Sequence, residues 1–207
     1  MSELLNVSIR CEGSTPLLMN KIPDGVLLEL LDKSSKKPKS AAETRKPREI
    51  AEMHVHTTKD GRPMLPTSAL FAALIEAGKY TRLDGKRQVS TSSSTVLPGF
   101  LTLSDPFLRL INPTTEKDAE WEVDIRPGRN PNGGELVCLV RPRFDSWAFD
   151  VHATIDTGQL SESAMRSLWN CAGQRIGLLD FRPARKGNCG QFHIVRWDRS
   201  DQKKGGH

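Results

Sequence analysis

The chain has 207 residues, 13 of them Pro and 16 Gly, with 37% apolar and 27% charged side chains and a formal net charge of +5. That length suits one large domain with extended loops better than two independent ones, and no run approaches the roughly 20 apolar residues that cross a bilayer, so a soluble, cytoplasmic protein is expected. The basic balance favours nucleic acid as partner.

Residues 4–11, "LLNVSIRC", alternate Leu5, Val7, Ile9 and Cys11 with polar neighbours, the period of a strand with one buried face. Pro16 ends it. The run "DGVLLELLDK" is compatible with a short helix capped by Asp24. Residues 33–48 then carry Lys33, Lys36, Lys37, Lys39, Arg45, Lys46 and Arg48 against one acid, Glu43. Two readings stay open for this stretch, a solvated loop and an arm that contacts phosphates. "PMLPTSALFAALIEAGKY" predicts a helix over 67–77, capped by Thr67 or Ser68, striped by Leu70, Ala73, Leu74 and Ala77, and stopped at Gly78. Lys79, Arg82, Lys86 and Arg87 follow, and the Ser/Thr-rich "STSSSTVLPGF" reads as part of an insertion over 80–133, the second after a basic one over 33–60.

"WEVDIR" alternates like a short strand before the turn residues "PGRNPNGG". "ELVCLVRPRF" and "SWAFDVHATI" predict an antiparallel hairpin turning near Asp145. "SESAMRSLWNCAG" predicts a second helix, capped by Ser161, with Ala164, Met165, Leu168, Trp169 and Ala172 on its apolar stripe and Gly173 as its stop. "QFHIVRW" is the last strand, and residues 201–207 form a frayed tail. Strand, helix, strand, strand, helix, strand is the split βαβ order: an α+β, ferredoxin-like (RRM-like) antiparallel sheet with two helices on one face and long inserted loops, a single domain over 1–207. The same layout underlies modules that take single-stranded RNA.

For chemistry, His54 and His56 in "MHVHTTKD" share one face of an expected strand. No third metal ligand stands near them, so base stacking or phosphate contact is the better reading. The four cysteines, Cys11, Cys138, Cys171 and Cys189, are spaced too widely for zinc pairs, and no secretion signal is legible, so they are expected to be reduced. Phosphate-binding glycine loops, dinucleotide fingerprints and serine-nucleophile elbows do not occur. The acids are scattered singly, without the clustering that two-metal nucleases use. Trp147, Phe149, Trp169 and Phe192 read as core, whereas Tyr80 and Phe100 are the candidates for bases to stack on.

Two segments together resemble the RAMP superfamily of CRISPR-associated proteins. "PMLPTSALFAALIEAGK" is similar to that family's "Pro-x-Ile-Pro-Gly-Ser-Ser-Leu-x-x-Ala-Leu", with Thr67 at the usual Gly and Phe71 and Ala72 where a Lys is often found. "GLLDFRPARKGNCGQFHIVRW" supplies the glycine-rich segment before the last strand through Gly177, Gly187 and Gly190. The resemblance implies a divergent or minimal relative of the subunit that coats guide RNA as the backbone of an effector complex. It further implies no catalysis, no cofactor and no metal. The partners implied are guide RNA, target DNA or RNA, further copies of the chain and other effector subunits, with no membrane. RNA contacts are expected from Lys36, Lys37, Lys39, Arg45, Lys46, Arg48, His54, His56, Ser68, Lys79, Arg82, Arg175, Arg182, Arg185 and Lys186. The three glycines are expected to let backbone N–H groups approach phosphates. Two alternatives remain: a metal-independent endoribonuclease with His54 or His56 as base, and a phage-encoded single-strand-binding relative.

Overall fold

The alternation at the start of the chain becomes a ten-residue strand, β1 (Leu4–Gly13), which buries Val7, Ile9 and Cys11 on one face. In the computed structural model, which describes residues 4–31, 45–83, 85–129, 134 and 136–199, the chain continues through β2 (Leu17–Leu18), α1 (Asp24–Leu31), α2 (Pro47–Met53), β3 (Met64–Pro66) and α3 (Thr67–Ala77). Next come β4 (Arg82–Leu83), β5 (Arg87–Gln88), β6 (Leu101–Leu103), β7 (Phe107–Arg109), β8 (Glu122–Arg129) and β9 (Leu136–Phe144). The chain then runs through β10 (Ala148–Asp156), α4 (Glu162–Cys171) and β11 (Phe192–Arg199). The fold is mixed α and β, with antiparallel sheets.

A four-stranded sheet, in the order β11-β1-β10-β6, carries the main core. Its inward residues Val7, Ile9, Val151 and Ile155 meet Leu70 and Leu74 of α3 and Met165, Leu168 and Trp169 of α4, all essentially excluded from solvent. Burying each such side chain stabilises by about 1.5–3 kcal/mol, which is what holds both helices on this face. Trp169 meets Trp197 of β11 edge to face at 6.3 Å, and Phe149 meets Phe192 at 5.8 Å. Trp147, Phe149, Trp169 and Phe192 are thus core, as expected, and so is Phe100, which the sequence reading had offered to bases.

Residues 136–155 depart from the expected hairpin. β9 pairs with β8 and β2 in a separate three-stranded sheet, while β10 pairs with β1 and β6. Leu17 and Leu18 oppose Phe144 and Arg143, and Glu12 opposes Ala148, so the partner numbers keep falling as the first strand advances. β9 and β10 therefore form one long strand bent at residues 145–147, opposite an equivalent bend at 13–16. Trp147 pins the bend by donating from Nε1 to the Thr15 carbonyl at 2.8 Å, while Gly13 N–H donates to the Trp147 carbonyl at 2.8 Å. The true hairpin is β8–β9, where Glu122 opposes Arg143 and Arg129 opposes Leu136. The second strand of the main sheet is instead β6, inside the stretch read as an insertion.

Helix ends differ too. α3 spans 67–77 as predicted, but its N-cap is Pro66, because the Thr67 hydroxyl donates to the Asp105 carbonyl at 2.6 Å. Gly78 is right-handed and leads into a further tight turn through Tyr80. α4 has Ser161 as its cap, accepting from Ala164 N–H at 3.3 Å. It does not stop at Gly173 but runs into a wider π-type turn over Ala172–Ile176. Gly173 is there because a Cβ would overlap the Phe192 carbonyl of β11.

Candidate nucleic-acid interface

The glycine-rich segment after α4 folds as a tightly bonded loop. Gly177 (φ 73°) and Gly190 (φ 71°) are left-handed, and so are three residues with side chains, Leu179, Phe181 and Lys186. For the three residues with side chains such backbone costs on the order of 1–3 kcal/mol each and persists only where surrounding contacts fix it. Here Leu178 N–H donates to the Gly190 carbonyl, Cys189 N–H to Phe181 and Asp180 N–H to Leu18 of β2. The glycines are fully occupied by this packing: Gly177, Gly187 and Gly190 donate their N–H groups to Ala172, Arg182 and Pro16 at 2.8–3.0 Å. A Cβ at Gly187 or Gly190 would run into the carbonyl of Phe181 or Leu178. The expectation that their N–H groups approach phosphates is therefore corrected.

Side chains, not backbone, face outward. Arg185 and Lys186 are exposed and have no ion-pair partner among the described residues. Arg182 is instead committed to the fold, 3.3 Å from Glu76 of α3. Phe181 lies beneath two guanidinium groups of the three-stranded sheet, Arg141 at 4.9 Å and Arg126 at 5.3 Å. Arg141 is buried and paired with Asp180 at 2.8 Å, and Arg126 pairs with Asp124 at 2.7 Å. Their alternating positions on β8 and β9 were readable, but their common partner in the loop was not.

A second basic group forms beside it. Lys79, Arg82, Lys86 and Arg87 are exposed on the turn after α3 and on the β4–β5 hairpin. Arg175, on the π-type turn after α4, reaches over the Tyr80 ring at 5.4 Å. The fold thus joins residues 95 positions apart in sequence. Ser68 stands exposed in the first turn of α3, away from this group at the other end of the helix.

The remaining candidates sit elsewhere. Lys36, Lys37 and Lys39 lie outside the described residues, as does the tail 201–207. Lys46 precedes α2, its N–H donating to Glu49 at 3.2 Å, and Arg45 donates to Met53 sulfur at 3.1 Å. Arg48 stacks on Trp121 at 3.8 Å, one wall of a groove of about 1100 Å³ in which Arg62, Arg109 and Arg143 alternate with Glu116, Asp118 and Asp145. His54 and His56 are not in a strand: His54 caps the end of α2 and holds the Lys21 carbonyl through Nδ1 at 2.8 Å. His56 is partly buried at a small cavity with Asn20, Leu179 and Asp180. Burial, aided by the Lys21 charge, lowers its pKa, so at neutral pH it carries no charge toward a phosphate.

The rings on the outward face of the main sheet are imidazoles, His152 and His193, the latter 3.0 Å from the Ser14 hydroxyl through Nδ1. Arg10 is clamped by Glu116 at 2.6 Å and Asp150 at 2.9 Å, Arg196 shares Asp150, and His152 meets Asp105 at 3.2 Å. Its charges are spent on one another. Among the described residues no group of three or more His, Cys, Asp or Glu side chains is gathered as for a metal ion, and no helix is long and apolar enough to cross a membrane.

No family model and no curated protein matches this chain. Solved structures resemble it, among them these two. The Cmr6 protein of Pyrococcus furiosus aligns over 94% of this chain and 100% of its own, at 12% identity and a TM-score of 0.46. A chain of the type III-B Cmr-beta complex bound to cognate target RNA aligns over 95% of this chain at 9% identity and a TM-score of 0.51. The match spans 61% of that longer chain. The fold of this protein is similar to that of a chain of the type III-B Cmr-beta complex.

Proposed function

We propose that this protein is a non-catalytic RNA-binding subunit of a CRISPR effector complex that repeats head to tail along a guide RNA. The observation that carries the reading is the fold shared over 95% of the chain with a protein from an RNA-bound effector. In finer terms, the order β11-β1-β10-β6, with α3 entered after β1 and α4 between β10 and β11, supports a ferredoxin-like core of split βαβ type. RNA is held by the loops at the ends of α3 and α4, because Arg10, Arg196 and His152 of the open sheet face are already paired with carboxylates. Heterologous contacts of this kind extend until something caps them.

The experiment is purification from a cell that expresses the guide, with the absorbance ratio at 260 and 280 nm and the size-exclusion mass read before and after RNase. A large, RNA-rich assembly that RNase collapses is the expected result. A monomer free of nucleic acid overturns the subunit reading.

A further inference from the structure

We infer that Tyr80 and Arg175 form a slot for one unpaired nucleobase on the helical side of the molecule. This rests on the reading that the chain binds single-stranded RNA and assigns one contact within it.

Tyr80 is 60% exposed, although it sits on a turn fixed between α3 and the β4–β5 hairpin. That turn is rigid: Gln88 Nε2 donates to the Lys79 carbonyl at 2.9 Å, and Val89 and Ser90 N–H groups donate to Thr81 and Gly78. Arg175 lies over the ring at 5.4 Å, held out from the body by the π-type turn in which α4 ends. Turns of that type often mark functional positions.

Both residues line an open pocket of about 320 Å³, with Asn170 and Gln174 on its walls beside Thr81 and Ser167. That is the lower end of the roughly 300–1,000 Å³ typical of small-ligand sites. The two amides offer donors and acceptors together, which suits the mixed edge of a base. An aromatic ring accepts the π-face of any base.

The surrounding charge selects the ligand class. Lys79, Arg82, Lys86 and Arg87 lie exposed on the same turn and the hairpin that follows it, without ion-pair partners among the described residues, so a cationic peptide is repelled and a phosphate chain is drawn in. A ligand that needs a ring, an amide edge and cations at once is a nucleotide. Arg175 swings off the Tyr80 ring to admit the base, Tyr80 stacks on one face of it and Arg175 covers the other, and the cations hold the flanking phosphates.

The test exploits a count, because Tyr80 is the chain's one tyrosine. Protein labelled with 3-fluorotyrosine gives a single fluorine NMR resonance. It is titrated with oligouridylate and oligoadenylate of equal length, with anisotropy of labelled RNA followed in parallel. The expected result is a saturable shift of that resonance at the concentrations where anisotropy saturates, and a smaller shift in Arg175→Ala. Tyr80→Ala weakens RNA about 5- to 150-fold, the scale of one lost stack, and Tyr80→Phe retains affinity.

RNA binding with an unmoved resonance overturns the slot and leaves the RNA reading standing. If anisotropy shows no RNA binding, that reading fails, and adenosine monophosphate decides the slot alone: a shifted resonance keeps it and an unmoved one removes it.

Discussion

At the level of single residues, Gly190 was legible as special but not for the right reason. Glycine spacing before the last strand suggests backbone open to a ligand, whereas the structure uses Gly190 for a left-handed turn whose Cβ position is taken by the Leu178 carbonyl. Sequence spacing cannot separate the two, because both need an absent side chain. Gly190→Ala is therefore expected to destabilise the protein by at least about 1–3 kcal/mol in urea unfolding, before any effect on RNA. His56 gives a second prediction, on pH. Its folded pKa is lowered by burial and by Lys21, so below about 6.5 the unfolded chain takes up a proton that the folded chain resists. Stability then falls as pH drops from about 6.5 toward the lower folded pKa, and rises with pH through the same window. An NMR titration should put the His56 midpoint below 6.5, and His56→Gln should flatten that part of the stability profile.

At the level of elements, β1, α3, α4 and β11 were readable because each is long enough for its apolar period to repeat. β6 was not, since three residues between a polar run and a turn show no period at all. The bent strand failed for a different reason. Both of its halves alternate correctly, and the polar Asp145 and Ser146 between them look like a reversal. What makes it a bend is Trp147, whose indole fills the space that Gly13 leaves open and bonds the Thr15 carbonyl. Partner choice of this kind is a tertiary fact. Trp147→Ala should cost about 3–5 kcal/mol in chemical unfolding, as for other buried aromatic truncations, while Asp145→Ala on the exposed turn should cost far less.

At the level of the whole molecule, the net charge of +5 predicts affinity for RNA but not where the RNA lies. The fold sorts the cations into two kinds. Arg10, Arg126, Arg141 and Arg182 are bound to carboxylates within the protein. Lys79, Arg82, Lys86, Arg87, Arg185 and Lys186 have no ion-pair partner among the described residues, and all are exposed. Sequence alone could not make this division, because the acids that neutralise the first set lie from two to more than a hundred residues away. Of these two sets, the second is the one that can release counterions when single-stranded RNA binds. Each phosphate it neutralises steepens the dependence of log affinity on log salt by about 0.7. Arg82→Gln with Lys86→Gln should therefore make the slope shallower by about 1.4 while leaving the unfolding midpoint unchanged. Arg10→Gln should do the reverse, because it leaves Glu116 and Asp150 without their shared partner: the unfolding midpoint falls and the salt slope holds. Equal slopes for all three proteins would mean that RNA, if bound, passes over neither group.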